Sequence, residues 1–137
     1  MEAVAIPRVL LADDHEPVLR RISALLHEFD VVGTVRNGRD AVAEVQRLDP
    51  DVLVIDISMP ILNGLQTACQ LQSLHCRAKV VFLTIHEDKD FVAAAFSAGA
   101  AAYVVKSRMS SDLVPAIRKV LEGHRYLSQS VRSFCKS

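Results

Sequence analysis

The chain has 137 residues and 15.1 kDa, the length of about one domain. Its 16 Lys+Arg balance 16 Asp+Glu, so it lacks the basic excess of a free-standing nucleic-acid binder. Half of the residues are hydrophobic and Gly and Pro number only five each, which excludes collagen-like and low-complexity classes. No apolar run approaches the roughly 18 residues of a membrane span, and no secretory signal pattern opens the sequence.

Five short Val-rich runs punctuate the chain: Val9–Ala12, Val31–Val35, Val52–Ile55, Val80–Leu83 and Ala102–Val105. They do not alternate apolar with polar. Strands buried on both faces read this way, so a parallel sheet covered by helices is predicted. The first intervening helix is predicted over Glu16–Phe29, with Val18, Leu19, Ile22, Leu25, Leu26 and Phe29 on one face and Pro17 in its first turn. The second spans Gly38–Leu48, with Asn37 as N-cap and Asp40 near the positive end of the dipole. The third spans Gly64–Leu74 with Asn63 as cap. The fourth spans Lys89–Ala98 and closes at Gly99, a C′ glycine. The fifth spans Asp112–Glu122, capped by Ser111, with Pro115 in its first turn and Gly123 beyond its end. Strand–helix units repeated five times give an α/β fold with right-handed crossovers. Residues from Arg125 onward read as a frayed tail or the start of a linker.

Three cysteines, Cys69, Cys76 and Cys135, form an odd set without CxxC spacing. This argues against a disulfide framework and fits a reducing cytoplasm. Cys69 is expected to pack as a small hydrophobe and Cys135 to be a free thiol in a polar tail. The zero net charge is uneven. Seven basic and two acidic residues follow Val105, against nine basic and fourteen acidic before it.

In a doubly wound sheet, ligands bind beyond the carboxyl ends of the strands. There the first run ends in Asp13-Asp14, the third in Asp56, the fourth in Thr84 and the fifth in Lys106. Three converging carboxylates need a cation, and hard oxygen donors suit Mg²⁺, which favours sites completed by a phosphate. Lys106 can pair with a phosphate, Thr84 can donate to a phosphoryl oxygen, and a carboxylate can itself be the nucleophile. GxGxxG, GxxxxGK[ST], HExxH and Cys/His clusters are all missing. His15 and His86 lie near the site without metal spacing.

The sequence resembles the receiver domain of two-component response regulators. The resemblance rests on Leu11-Ala12-Asp13-Asp14-His15, on Asp56-Ile57-Ser58-Met59-Pro60 with Gly64 eight residues after the Asp, on Leu83-Thr84, and on Ser97-Ala98-Gly99-Ala100 leading to Tyr103-Val104-Val105-Lys106. It covers residues 7–127. The segments around Asp14, Thr84-Ile85-His86-Glu87-Asp88 and Gly123-His124-Arg125-Tyr126-Leu127-Ser128 are similar to the subfamily in which a LuxR/NarL-type helix-turn-helix follows.

That resemblance implies a three-layer α/β/α, flavodoxin-like (CheY-like) fold with a five-stranded parallel sheet of order 2-1-3-4-5. It implies that Asp56 accepts a phosphoryl group from a sensor histidine kinase. Asp14, Asp56 and the backbone carbonyl of Ser58 would coordinate Mg²⁺, and Asp13 would act through a metal-bound water. Lys106 would contact the phosphoryl group. Thr84 would bond to it and move inward, and Tyr103 would follow by changing rotamer. DNA would be reached only through an output domain, expected beyond residues 128–137, which read as a tail or linker. The chain then reads as part of a longer regulator or as a free-standing receiver. The exposed faces of the fourth and fifth helices are a candidate homodimer surface.

Two positions depart from the pattern. Ser107 stands where many receivers have proline, and a cis bond there would cost about 2.5–4 kcal/mol. Ile85 stands where a small residue is common and is expected to narrow access to Asp56. An aspartyl phosphatase is disfavoured because Asp56-Ile57-Ser58 lacks the second Asp of Asp-x-Asp enzymes that resemble haloacid dehalogenases. A degenerate, phosphorylation-independent interaction module is disfavoured because all five site residues are present.

Overall fold

The structure, a computed structural model, describes residues 5–134. The elements run β1 (Arg8–Ala12), α1 (Glu16–Leu25), β2 (Asp30–Val35), α2 (Gly38–Leu48), β3 (Val52–Ile55), α3 (Gly64–Ser73), β4 (Lys79–Thr84), α4 (Lys89–Ser97), β5 (Ala102–Val105), a 3-10 turn (Lys106–Arg108), α5 (Met109–Leu121), β6 (Tyr126–Leu127) and a 3-10 helix (Gln129–Phe134). All strands are parallel, in the order β2-β1-β3-β4-β5-β6. The expected five-stranded order is present, with one short strand added beyond β5.

The non-alternating runs are explained by two apolar layers, one on each face of the sheet. Leu10, Leu53, Ile55, Phe82, Tyr103 and Val105 face α2, α3 and α4. Val9, Leu11, Val52, Val54, Val81, Leu83 and Val104 face α1 and α5. Successive residues of one strand point to opposite layers, so both must be apolar.

Two of the predicted caps close their helices by side-chain bonds. Asn37 accepts from the Asp40 N–H at 2.8 Å. Asn63 accepts from Gln66 N–H at 2.8 Å while the Gln66 side chain accepts from the Asn63 N–H at 3.0 Å, a reciprocal capping box. Gly99, at φ +97°, follows Ala98, the C-cap of α4, as the left-handed C′ position.

Four expectations are corrected. Helix α1 stops at Leu25, because Leu26 turns out of the helix and bonds back to both Ile22 and Ser23. Helix α5 starts at Met109 rather than Asp112, because the 3-10 turn after Lys106 leads straight into it. Ser111 is therefore inside the helix, its Oγ 3.2 Å from the Arg108 carbonyl and 3.0 Å from the Asp112 carboxylate, with one proton to give to either. Pro115 lies in the helix interior at an exposed position, and has no N–H to give to the Ser111 carbonyl one turn earlier.

The third correction concerns the tail. Over 126–134 it is ordered: β6 pairs with β5, and Ser128 and Val131 are fully buried. The fourth concerns Cys69, which is exposed, since α3 buries Ala68 and Leu71 instead. Cys69 and Cys76 are both free thiols. Cys135 and the end of the expected linker lie outside the described residues. Among the described residues no helix is long and apolar enough to cross a membrane, and no peptide bond is cis, that before Ser107 included.

Candidate functional site

Four strand ends converge at the carboxyl edge of the sheet. Asp13 and Asp14 follow β1, Asp56 follows β3, Thr84 ends β4 and Lys106 follows β5. Asp13 and Asp56 are buried and Asp14 is exposed. Carboxylate oxygens of all three lie within 4.8 Å of one another. The Lys106 Nζ bridges the two buried ones, 2.9 Å from Asp13 Oδ2 and 3.0 Å from Asp56 Oδ2.

Burial pushes the Asp56 carboxyl above its ordinary range; the Lys106 ammonium opposes this and the Asp13 charge adds to it. Burial works against the Lys106 charge, but its two carboxylate partners outweigh it and raise its pKa. Three carboxylates share one ammonium, so the cluster keeps an uncompensated negative charge. It is a group of hard oxygen donors that could hold a metal ion.

The loop after Asp56 is held close by glycine. Gly64 N–H donates to the Ile57 carbonyl at 2.7 Å, and a Cβ on Gly64 would meet the Asp56 carbonyl oxygen at 2.1 Å. Ser58 N–H lies 3.4 Å from Asp56 Oδ1. Thr84 is buried and its Oγ1 accepts from the His86 N–H at 3.3 Å. Tyr103 is fully buried in the layer under α4, and its hydroxyl donates to the His86 carbonyl at 2.8 Å. Burial, with the charges of Asp88, Asp56 and Glu87, pushes the Tyr103 hydroxyl well above the usual phenol range, so it stays a donor. Ile85 is 69% exposed at this edge.

His86 is the residue whose part sequence reasoning missed. Its ring stacks on Phe91 with centroids 4.0 Å apart, and its Nε2 lies 3.2 Å from Ser58 Oγ. It thereby joins the loop after Asp56, the Thr84 hydroxyl, Tyr103 and α4. Only the loop's path in three dimensions brings these groups together.

Residues 9–118 match the family model described as the response regulator receiver domain. This chain belongs to that family. The receiver is 36% identical over 127 residues to the response regulator GacA of Pseudomonas viridiflava, which covers 90% of this chain and 59% of GacA. It is 32% identical over 127 residues to the transcriptional regulatory protein DegU of Brevibacillus brevis, covering 90% of this chain and 54% of DegU. Among solved structures, a LuxR-family two-component response regulator from Aurantimonas sp. SI85-9A1 superposes with a TM-score of 0.90 at 28% identity, over 94% of each chain. The receiver is thus of the LuxR/NarL/GacA type. It spans a little over half the length of the curated relatives it matches.

Proposed function

We propose that this receiver accepts a phosphoryl group on Asp56 from a sensor histidine kinase, with Mg²⁺ required, and switches conformation to control an output. One observation carries the reading. A buried carboxylate, Asp56, is paired at 3.0 Å with Lys106, beside two more carboxylates for which no second cation is in place among the described residues.

Asp13, Asp14 and Asp56, with the backbone carbonyl of Ser58, are the residues that would hold Mg²⁺. Bound there, the ion would supply charge neutralisation for the phosphoryl oxygens. The remaining steps belong to the chain's own groups. An Asp56 carboxylate oxygen forms the new P–O bond as the P–N bond of the donor phosphohistidine breaks, and the imidazole leaves with the bonding electron pair. Burial raises the pKa of Asp56 and makes its carboxylate a stronger nucleophile, while the Lys106 ammonium acts the other way and favours the ionised form. Lys106 then transfers its hydrogen bond from Asp56 Oδ2 to a phosphoryl oxygen, keeping Asp13 as its anchor. Thr84 Oγ1 already accepts from His86 N–H, so its own proton is free to donate to the phosphoryl group.

Thr84 and Tyr103 are the switch. Drawing Thr84 toward the phosphoryl group pulls the His86 backbone, and Tyr103 is bonded to the His86 carbonyl. Phosphorylation shifts the population between arrangements of this loop and α4. The protein is a phosphoacceptor that assists its own phosphorylation and dephosphorylation and has no external substrate. Its setting is the cytoplasm, its partners the kinase and a second copy of itself, and it reaches DNA through an output domain joined after residues 128–137. The similarity to GacA and DegU supports transcriptional output.

The test is intact mass after treatment with acetyl phosphate and Mg²⁺. Wild type gains the mass of one phosphoryl group and Asp56→Asn gains none. Equal adducts on both, or an adduct on neither, refute the reading, and the latter favours a phosphorylation-independent interaction module.

A further inference from the structure

Outside the phosphorylation edge, one buried carboxylate has no part in the chemistry above. Asp112, in the first turn of α5, is 5% exposed and faces Ser128, which is fully buried. Strand β6 ends at Leu127, yet the ladder with β5 continues one step further, because the Ser128 N–H donates to the Tyr103 carbonyl at 2.9 Å. The side chain then takes over from the backbone. Ser128 Oγ accepts the Val105 N–H at 3.0 Å and donates to Asp112 Oδ2 at 2.7 Å. Ser111 Oγ and Arg108 Nε also reach the carboxylate, and the Tyr126 hydroxyl lies beside it. Burial disfavours the Asp112 charge, but these hydrogen bonds together outweigh it and hold the carboxyl below its usual range.

This bridge has two neighbours of consequence. Val105 is the residue before Lys106, whose ammonium holds Asp13 and Asp56. Three residues past Ser128, Val131 is buried in the same packed layer as Tyr103, Val92 and Ala95. The segment leaving the receiver is therefore fastened to the strand end that carries Lys106 and to the layer that carries the switch tyrosine.

We infer that Ser128 and Asp112 are positioning residues, a buried bridge that ties residues 126–134 to the β5 end delivering Lys106, so that filling the Asp56 site and docking of this exit segment favour each other. The inference rests on the phosphoacceptor reading of Asp56. Coupling between two sites is reciprocal in binding free energy, which gives two measurements of one factor. Loss of folding stability alone would not move the affinity of the molecules that remain folded.

The experiment uses the full chain with Mg²⁺ and beryllofluoride as phosphoryl mimic, binding being read from the bound fluorine resonance and docking from amide hydrogen exchange. Saturation slows exchange at Ser128 and Val131 about fivefold, the lower end of typical couplings. Ser128→Ala and Asp112→Ala weaken beryllofluoride binding by the same factor. Asp112→Asn, whose amide oxygen still accepts from Ser128, retains most of the affinity, and the exposed Ser130→Ala is unchanged. A bound fluorine signal with unaltered exchange over 126–134 overturns the inference, as does wild-type affinity in Ser128→Ala. Absence of any bound signal instead refutes the phosphoacceptor reading, and the coupling with it.

Discussion

Magnesium should raise the melting temperature of the receiver, and only through the acidic cluster. Asp13 and Asp56 are buried, their carboxylate oxygens and that of Asp14 lie within 4.8 Å, and Lys106 compensates one charge of three. At an effective dielectric near 20, like charges about 5 Å apart repel by about 3 kcal/mol, so a divalent ion is favoured there. Binding at ten times the dissociation constant adds about 1.4 kcal/mol to stability. A chain of 137 residues unfolds with an entropy of about 0.29 kcal/mol/K, which converts this to a rise of about 5 °C. Scanning calorimetry or dye-monitored melting with and without MgCl₂, against NaCl of matched ionic strength, reads the shift. Asp14 is exposed, so Asp14→Asn should fold normally in EDTA and keep only about 1 °C of the rise. An equal rise in Asp14→Asn, or in NaCl, would show that ionic screening and not the cluster is responsible.

Three further outcomes are expected. The folded-state pKa of Asp56 is raised, so its contribution to stability is full below the unfolded carboxyl pKa and is lost as pH rises through the folded value. Asp56→Asn in EDTA should therefore melt higher than wild type at neutral pH, with the gap closing as pH falls through the raised folded value and gone below about 4; a lower melting temperature at pH 7 would contradict this. Gly64→Ala places a Cβ 2.1 Å from the Asp56 carbonyl oxygen and should cost about 3 kcal/mol in urea unfolding, while slowing modification by acetyl phosphate through displacement of the loop. Val131→Ala removes two buried methylene equivalents and should cost about 2 kcal/mol, whereas exposed Ser130→Ala should cost nothing measurable; equal effects would mean that the exit segment is not docked.

Much of this architecture was legible because its signals are local. Valine runs without alternation announce strands covered on both faces, and Asn37 and Asn63 sit where a cap must accept an N–H. The site was legible as a conjunction, since four strand ends in a parallel sheet must share one edge. What escaped were features made by contact rather than by pattern. Two residues, Tyr126 and Leu127, are too few to show a period, and they become a strand only because β5 has a free edge. Ser128 is small and polar, a loop residue by composition, and it is buried because Asp112 and Val105 N–H supply its partners. The start of α5 is set by the turn that follows Lys106, not by Ser111. Cys69 follows the buried Ala68 in sequence, yet the core stripe of α3 passes through Ala68 and Leu71 and leaves it in solvent. His86 lies near the site in sequence without metal spacing, but its place between Ser58, Thr84, Tyr103 and Phe91 follows from the loop's path.

The most direct test of the central claim is to locate the acyl phosphate chemically. Borohydride reduces an acyl phosphate to the alcohol, which would turn a phosphorylated aspartate into homoserine. After reaction with acetyl phosphate and Mg²⁺, reduction and peptide mapping, homoserine should occur at position 56 alone and should vanish when EDTA replaces Mg²⁺. Homoserine at Asp13 or Asp14, or an unmodified Asp56 in a chain that has gained a phosphoryl group, would contradict the account.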